Sequence, residues 1–426
     1  MPATGAGPDE FESRLDNAAK IFASQLSPWR PTVFRLAAVL NQPISVEPLE
    51  QACRAMMSRC PYFRVHLRRG LFWYYLEPTD TELHVEPESR YPCLYVPFKS
   101  PGVLPLRVIA YRNRVAVEAG HFVTDGTGAL NFLNGLVAEY LRIRGESIAV
   151  GNLPIDARSP MLAEEYEDGY LVHHDPHVPS AHMAQRALKI PGKPISPPIF
   201  FVTEGIIKEE FLKRAADKYK VTVGEYLTAS LVNACYEEMK EKNWNPRPIR
   251  VSVPVNLRRI FGSSTMRNFS LTVEPGIDPR LGDFTFEDIV SKVHHFMRME
   301  IDGRYIARQI SRNVTGEKKS IIRILPLFLK DPLLKFFYSA FGSRSFTLSF
   351  SNLGRISIPN DMARFVQAYQ VVPPSIPERI NAAAVAYGGI SRVFLCSHYA
   401  ETDIERRFFA GMRHNGIPVA IRTNRR

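Results

Sequence analysis

The sequence predicts a mixed α/β protein (α+β in the broad sense) built as two domains, and three observations carry the prediction. The chain has 426 residues, which at roughly 100–200 residues per domain means two domains or three small ones. Strand-type alternation and helix-type periodicity interleave in both halves. Between about residues 150 and 200 both patterns fail, in HHDPHVPS and PGKPISPPIF, where Pro191, Pro194, Pro197 and Pro198 crowd together. Proline density of this kind gives a stiff extended connector. The boundary is placed there, with domains at 1–185 and 186–426.

In the first half, Ser45 can cap a helix whose apolar face is Leu49, Ala52, Cys53, Met56 and Met57, the i, i+3, i+4, i+7, i+8 pattern. FRVHLRRGLFWYYLE predicts a hairpin turning at Arg69-Gly70. LRVIAYRNRVAVEAGHF predicts a second, turning near Arg112-Asn113, in which Val115 and Val117 alternate with polar or small neighbours as a half-buried strand requires. A glycine-punctuated turn then opens the helix TDGTGALNFLNGLVAEYLRI, with Leu130, Leu133, Leu136, Val137, Tyr140 and Leu141 as its inward stripe. The second half predicts helices at 207–220 and 223–241, strands RPIRVSVPVN and NFSLTVEP, and a long helix from Phe286 to about Ile310. An amphipathic segment at 318–341 follows, then strands FTLSFSNLG and ARFVQAYQVV. A hairpin, AAAVAYGGISRVFLCSHYA, and a helix from near Thr402 complete the order. No internal repeat or low-complexity tract interrupts it.

Composition narrows the class. Hydrophobic residues at 45% and charged residues at 23% match a folded protein and exclude a disordered chain. Five cysteines, odd in number and without CxxC spacing, argue against a disulfide framework or a zinc site. The acidic start, MPATGAGPDEFESRLD, lacks the apolar core of a signal peptide. Ile321–Phe341 is the most apolar stretch, but Arg323, Lys330, Asp331, Lys335, Pro326 and Pro332 break it well short of the ~20 residues of a membrane span. A soluble, cytoplasmic monomer is expected. That stretch reads as core or interface packing, with an apolar mouth or weak membrane contact as the alternative. Lysine and arginine outnumber aspartate and glutamate by 54 to 43, which favours anionic partners without choosing one. The basic residues are scattered and no nucleic-acid motif appears.

The segment that carries chemistry is AGHFVTDGTGAL. His121 ends a strand, Asp125 lies four residues on, and Gly126 and Gly128 lead into a helix. A strand end lets the ring project into a cleft, and glycines let the backbone turn sharply beside a ligand. Alone, the pattern is short and fits a packed histidine as well. His173, His174 and His177 with Asp175 lack ordered ligand spacing and read as a solvated linker. His294 and His295, adjacent on a helix, face different directions.

Two further segments change the weighting: VPVNLRRIFGSSTMRNFS, with Asn256 and Arg258, and FTLSFSNLGRISIP, with Ser351, Asn352 and Gly354. In this order and at these separations, the three resemble the CoA-dependent acyltransferase superfamily of chloramphenicol acetyltransferases and condensation domains. The layout is similar to its bacterial alcohol acetyltransferase-like branch, from about residue 28 to 420. Gly120 stands where condensation domains usually carry a second histidine, and SNLGR where plant members carry DFGWG. The resemblance implies two chloramphenicol-acetyltransferase-like domains with a tunnel between them. It also implies an acyl-CoA co-substrate without a metal, and transfer of an acyl group, acetyl first, to an alcohol or lipid-like alcohol. His121 would be the general base. Asp125 would be an anchor paired with Arg258, Gly126 a conformational residue, and Ser351 or Asn352 an oxyanion donor. The alternatives are a condensation-type enzyme with an amine acceptor or carrier-protein donor, and a non-catalytic acyl-CoA-binding protein. A GxSxG elbow is missing, in keeping with direct transfer and no acyl-enzyme.

Overall fold

The computed structural model describes residues 13–175, 177–178, 185–318, 325–337, 344–374 and 380–425. Two mixed sheets dominate it. The first has five strands in the order Val366–Val372, Val33–Leu40, Arg114–Gly120, Leu106–Tyr111, Val85–Pro87. The second runs Ser270–Val273, Ile249–Asn256, Leu348–Arg355, Asn381–Tyr387, Ile390–Ser397, Phe201–Lys208, Ala420–Thr423, with Gly276–Ile277 also on Ile249–Asn256. A small third sheet joins Ser13–Arg14 to the hairpin Val65–Arg69 and Tyr74–Pro78. Among the described residues, no helix is long and apolar enough to cross a membrane.

Helices Val46–Arg59 and Gly126–Ile143 pack on the first sheet through the stripes their spacing predicts: Leu49, Met56, Leu133, Leu136 and Val137 are buried. Each such side chain contributes about 1.5–3 kcal/mol when fully removed from water. Helices Val223–Glu241, Phe286–Glu300 and Asp403–His414 cover the second sheet in the same way. Ser45 occupies the cap position, but its side chain makes no capping bond; its backbone N–H donates to the Tyr140 hydroxyl (3.0 Å).

Several elements differ from expectation. The strand Val33–Leu40 carries no period-two alternation, because it lies inside the first sheet and is buried on both faces. The strand Arg114–Gly120 is likewise buried on both faces rather than one. Its Glu118 is tolerated there because Arg35 donates to it at 2.9 Å and Arg107 binds its other oxygen; a buried carboxylate needs such partners. Residues 201–208 form a strand paired with Ile390–Ser397, so the helix placed at 207–220 spans Glu209–Lys218. The long helix from Phe286 is two, Phe286–Glu300 and Gly303–Lys318. Asp302 breaks it, its side chain accepting from the Arg304 N–H (2.9 Å) at the start of the second.

Among its described residues, the connector is packed at residues 169–173, while Asp175 and His177 are exposed. Gly169–Val172 is a short helix, and the His173 ring stacks on Phe261 (4.6 Å) and Phe269 (5.6 Å) of the second half. Of the amphipathic segment at 318–341, the described part is the helix Leu327–Phe337; residues 319–324 and 338–343 lie outside the described residues.

The strand Val366–Val372 belongs to the second half by sequence but pairs antiparallel with Val33–Leu40 in the first sheet. Tyr369 on it meets the Tyr387 ring edge-on at 5.2 Å, bringing the two sheets together, and donates its hydroxyl to Asn134 Oδ1 (2.6 Å). The strand Leu348–Arg355 lies parallel between Ile249–Asn256 and Asn381–Tyr387.

Candidate active site

His121 follows directly on the strand Arg114–Gly120, its backbone N–H donating to the Thr32 carbonyl (2.8 Å). The ring is half-buried. Phe22 stacks on it (centroids 4.0 Å apart, 18° between planes) and Phe34 tilts against it at 5.0 Å. Loss of water around the ring lowers its pKa, outweighing the nearby Asp125 charge and the hydrogen bonds that favour protonation. The imidazole is therefore neutral at pH 7.

Asp125 is the N-cap of the helix Gly126–Ile143. Its Oδ1 accepts from Thr127 N and Gly128 N, both at 3.1 Å. Its Oδ2 accepts from Arg258 Nη1 (2.8 Å) and Phe269 N (3.0 Å). Burial would raise this carboxyl, but Arg258 and the donated hydrogen bonds bring it below the ordinary carboxylate range. With four donors on two oxygens, the group is an anchored anion and not a proton carrier.

Arg258 is equally occupied. Besides Asp125, it donates to the carbonyls of Thr265 (2.7 Å) and Arg267 (2.5 Å) and to Asn256 Oδ1 (3.3 Å). Asn256 in turn donates to Thr127 Oγ1 (3.1 Å), and Thr124 Oγ1 donates to Met266 O (2.6 Å). The segment around Met266 is thus tied at several points to the loop carrying His121.

Gly126 and Gly128 sit differently. A Cβ on Gly126 would stand 3.1 Å from Leu353 Cδ2, a tight but movable neighbour. On Gly128 it would stand 2.2 Å from Thr124 Oγ1 and 2.3 Å from Met266 O. The close approach that demands glycine is at Gly128.

Ser351 and Asn352 lie on the strand Leu348–Arg355. The side chain of Leu353, next but one along the strand from Ser351, reaches Gly126, and the strand's register shifts between Asn352 and Arg355. Asn352 is exposed; its Oδ1 accepts from Gly354 N (2.9 Å), and its Nδ2 lies 3.0 Å from where a Cβ on Gly224 would be. Gly354 turns the chain at φ +70.

Two contacts were not legible as site features. His121 Nδ1 lies 3.1 Å from Asn268 Oδ1, and Asn268 Nδ2 donates to Asp16 Oδ2 (3.2 Å). Nothing in the spacing RNFS marks Asn268, which is 147 positions from His121. Two surface clefts, of about 620 Å³ beside Asn152 and Asp361 and about 390 Å³ beside Arg355 and Gly389, are not lined by His121. Among the described residues, no group of side chains could hold a metal ion.

A scan against protein-family models gives no match, and a search of curated proteins gives none. Solved structures do match. Polyketide synthase associated protein 5 from Mycobacterium tuberculosis is 14% identical at TM-score 0.62, over 93% of this chain and 96% of that one. The first condensation domain of the CDA synthetase is 14% identical at TM-score 0.61, over 97% and 100%. TRI101 of F. graminearum, solved with coenzyme A and deoxynivalenol, is 12% identical at TM-score 0.62, over 97% and 100%. The chain has the two-domain mixed α/β fold of condensation domains and CoA-dependent acyltransferases, in which helices flank the sheets.

Proposed function

We propose that this chain is a CoA-dependent O-acyltransferase moving an acyl group, with acetyl the first to test, from a CoA thioester to an alcohol. The observation that carries the reading is the division of roles within one loop. Asp125 is saturated by four hydrogen-bond donors, which leaves the neutral, half-buried His121 to accept a proton. Structures of the same fold contain coenzyme A together with deoxynivalenol or T-2 in TRI101, and TRI3 is a trichothecene 15-O-acetyltransferase.

In this reading His121 takes the proton of the acceptor hydroxyl as its oxygen attacks the thioester carbonyl. The C–O bond forms, the tetrahedral oxyanion collapses, the C–S bond breaks, and the proton on the imidazolium neutralises the departing thiolate. Ser351 and Asn352, on the strand whose Leu353 reaches Gly126, are the candidates to stabilise the oxyanion. A lipid-like acceptor is supported by Leu71, Phe72, Phe328 and Leu329, all exposed where Leu327 N donates to Leu71 O (2.7 Å).

The test is thiol release from acetyl-CoA and long-chain acyl-CoA against alcohols and amines, with His121→Ala as control. Transfer to alcohols that needs His121 supports the proposal. Transfer to amines alone, or from carrier-protein thioesters alone, would make this a condensation-type enzyme. Acyl-CoA binding without turnover would make it a binding protein.

A further inference from the structure

We infer that Asn268, held by Asp16, is a positioning residue that sets the tautomer of His121 and so decides which ring nitrogen faces substrate. The inference rests on the proposed role of His121 and adds to it the residues that make the ring usable.

Asp16 and Asn268 are each 1% exposed, so their polar atoms must find partners within the protein. Asp16 Oδ1 accepts from Ala19 N (2.8 Å) as the cap of the helix Asn17–Gln25. Its Oδ2 accepts from Asn268 Nδ2 (3.2 Å), with Arg267 Nε 3.7 Å away. An ionised carboxylate has no proton to give, so the Asn268 amide must turn its NH₂ towards Asp16. Its oxygen then faces His121 Nδ1 at 3.1 Å. An amide oxygen only accepts, so Nδ1 must carry the proton. Nε2 is left with the lone pair that a general base needs.

The order of the chain is therefore directional: carboxylate, amide, imidazole, with each donor set by the group before it. It also spans the molecule. Asp16 and His121 lie in the first half and Asn268 in the second, 252 positions from Asp16. Phe22 stacks on the ring and Phe34 tilts against it; neither bonds a ring nitrogen, which leaves the amide to decide proton placement.

The tautomer can be read without substrate. In protein labelled with ¹⁵N-histidine, the Nδ1 and Nε2 signals of His121 are identified by their loss in His121→Ala. At pH 8 the wild type is expected to show a protonated Nδ1 and a bare Nε2. Asn268→Leu should move the ring towards the Nε2–H form and lower kcat at least tenfold, with KM for acyl-CoA nearly unchanged. The loss should stay below the roughly 10⁴-fold that a wrong tautomer costs in a serine-protease triad. The exchange Asp16→Asn/Asn268→Asp keeps every donor and acceptor in the chain. The introduced amide would still cap the helix with its oxygen and donate its NH₂ to the introduced carboxylate. The exchange should retain the Nδ1–H tautomer and restore turnover. It should also move the acid limb of the pH profile upward, because a carboxylate then faces the ring. An unchanged tautomer in folded Asn268→Leu, or a lost tautomer in the folded exchange variant, overturns the inference. If Asn268→Leu does not fold, the exchange variant decides alone. A tautomer that follows Asn268 in a protein whose turnover ignores His121→Ala would leave the inference standing and remove the proposed function instead.

Discussion

Arg258 Nη1 and Asp125 Oδ2 meet at 2.8 Å, both buried, across 133 positions of sequence. The pair clasps the loop of the first half to a turn of the second, because Arg258 also holds the Thr265 and Arg267 carbonyls. Breaking one partner of a buried ion pair costs about 3–5 kcal/mol, since the other charge is left uncompensated. Asp125→Asn and Arg258→Met should each lower stability by this order and lower turnover with it. The double variant should lose less than the sum, which a double-mutant cycle by denaturant unfolding measures directly. Strict additivity, or loss of turnover in Asp125→Asn at wild-type stability, would contradict the anchor role.

His121→Ala should leave the fold intact and lower turnover about 10²–10⁴-fold, the usual contribution of a positioned base. Far-ultraviolet circular dichroism and steady-state kinetics on one substrate check both halves of the statement.

The acid limb of kcat/KM should fall below pH 6.5, because burial depresses the His121 pKa from its ordinary value of 6.5. The sign for stability follows. The unfolded chain binds a proton first as pH falls through 6.5, so this group's contribution is present above that pH and declines below it. Asp16 acts oppositely: burial raises it from 3.8 to about 6, so its contribution is full below pH 4 and is lost as pH rises to 6. Titrations of stability with and without Asp16→Asn separate the two.

Gly128→Ala should be the more damaging glycine replacement. Its Cβ would strike Thr124 Oγ1 and the Met266 carbonyl, main chain that cannot rotate away, and overpacking of this kind typically costs about 1–3 kcal/mol. Gly126→Ala meets only the end of Leu353 and should cost less. Equal melting temperatures for the two variants would refute the comparison.

Local rules made His121, Asp125 and the following helix visible, because a strand end, a capping aspartate and a helical stripe all lie within one short segment. The Asp125–Arg258 pair came through resemblance and is found in the structure at 2.8 Å. Asn268 and Asp16 escaped because an uncharged amide and a capping aspartate have no distinctive spacing, and only the fold brings them to the ring. The strand Val33–Leu40 escaped because it is covered on both faces, so no alternation marks it. The long helix was overextended because Asp302 and Gly303 break it without a proline to mark the place.

The strand Val366–Val372 has a consequence for how the chain is born. Val33–Leu40 leaves the ribosome early, yet its partner on one side emerges about 330 residues later. At about 5–20 residues per second, that edge stays unpaired for roughly 15–70 s of synthesis. Open strand edges recruit other strands, so the nascent first half must be shielded until residue 372 arrives. A gene cut at 185/186 would make that exposure permanent, and its first product should aggregate unless the second is made beside it.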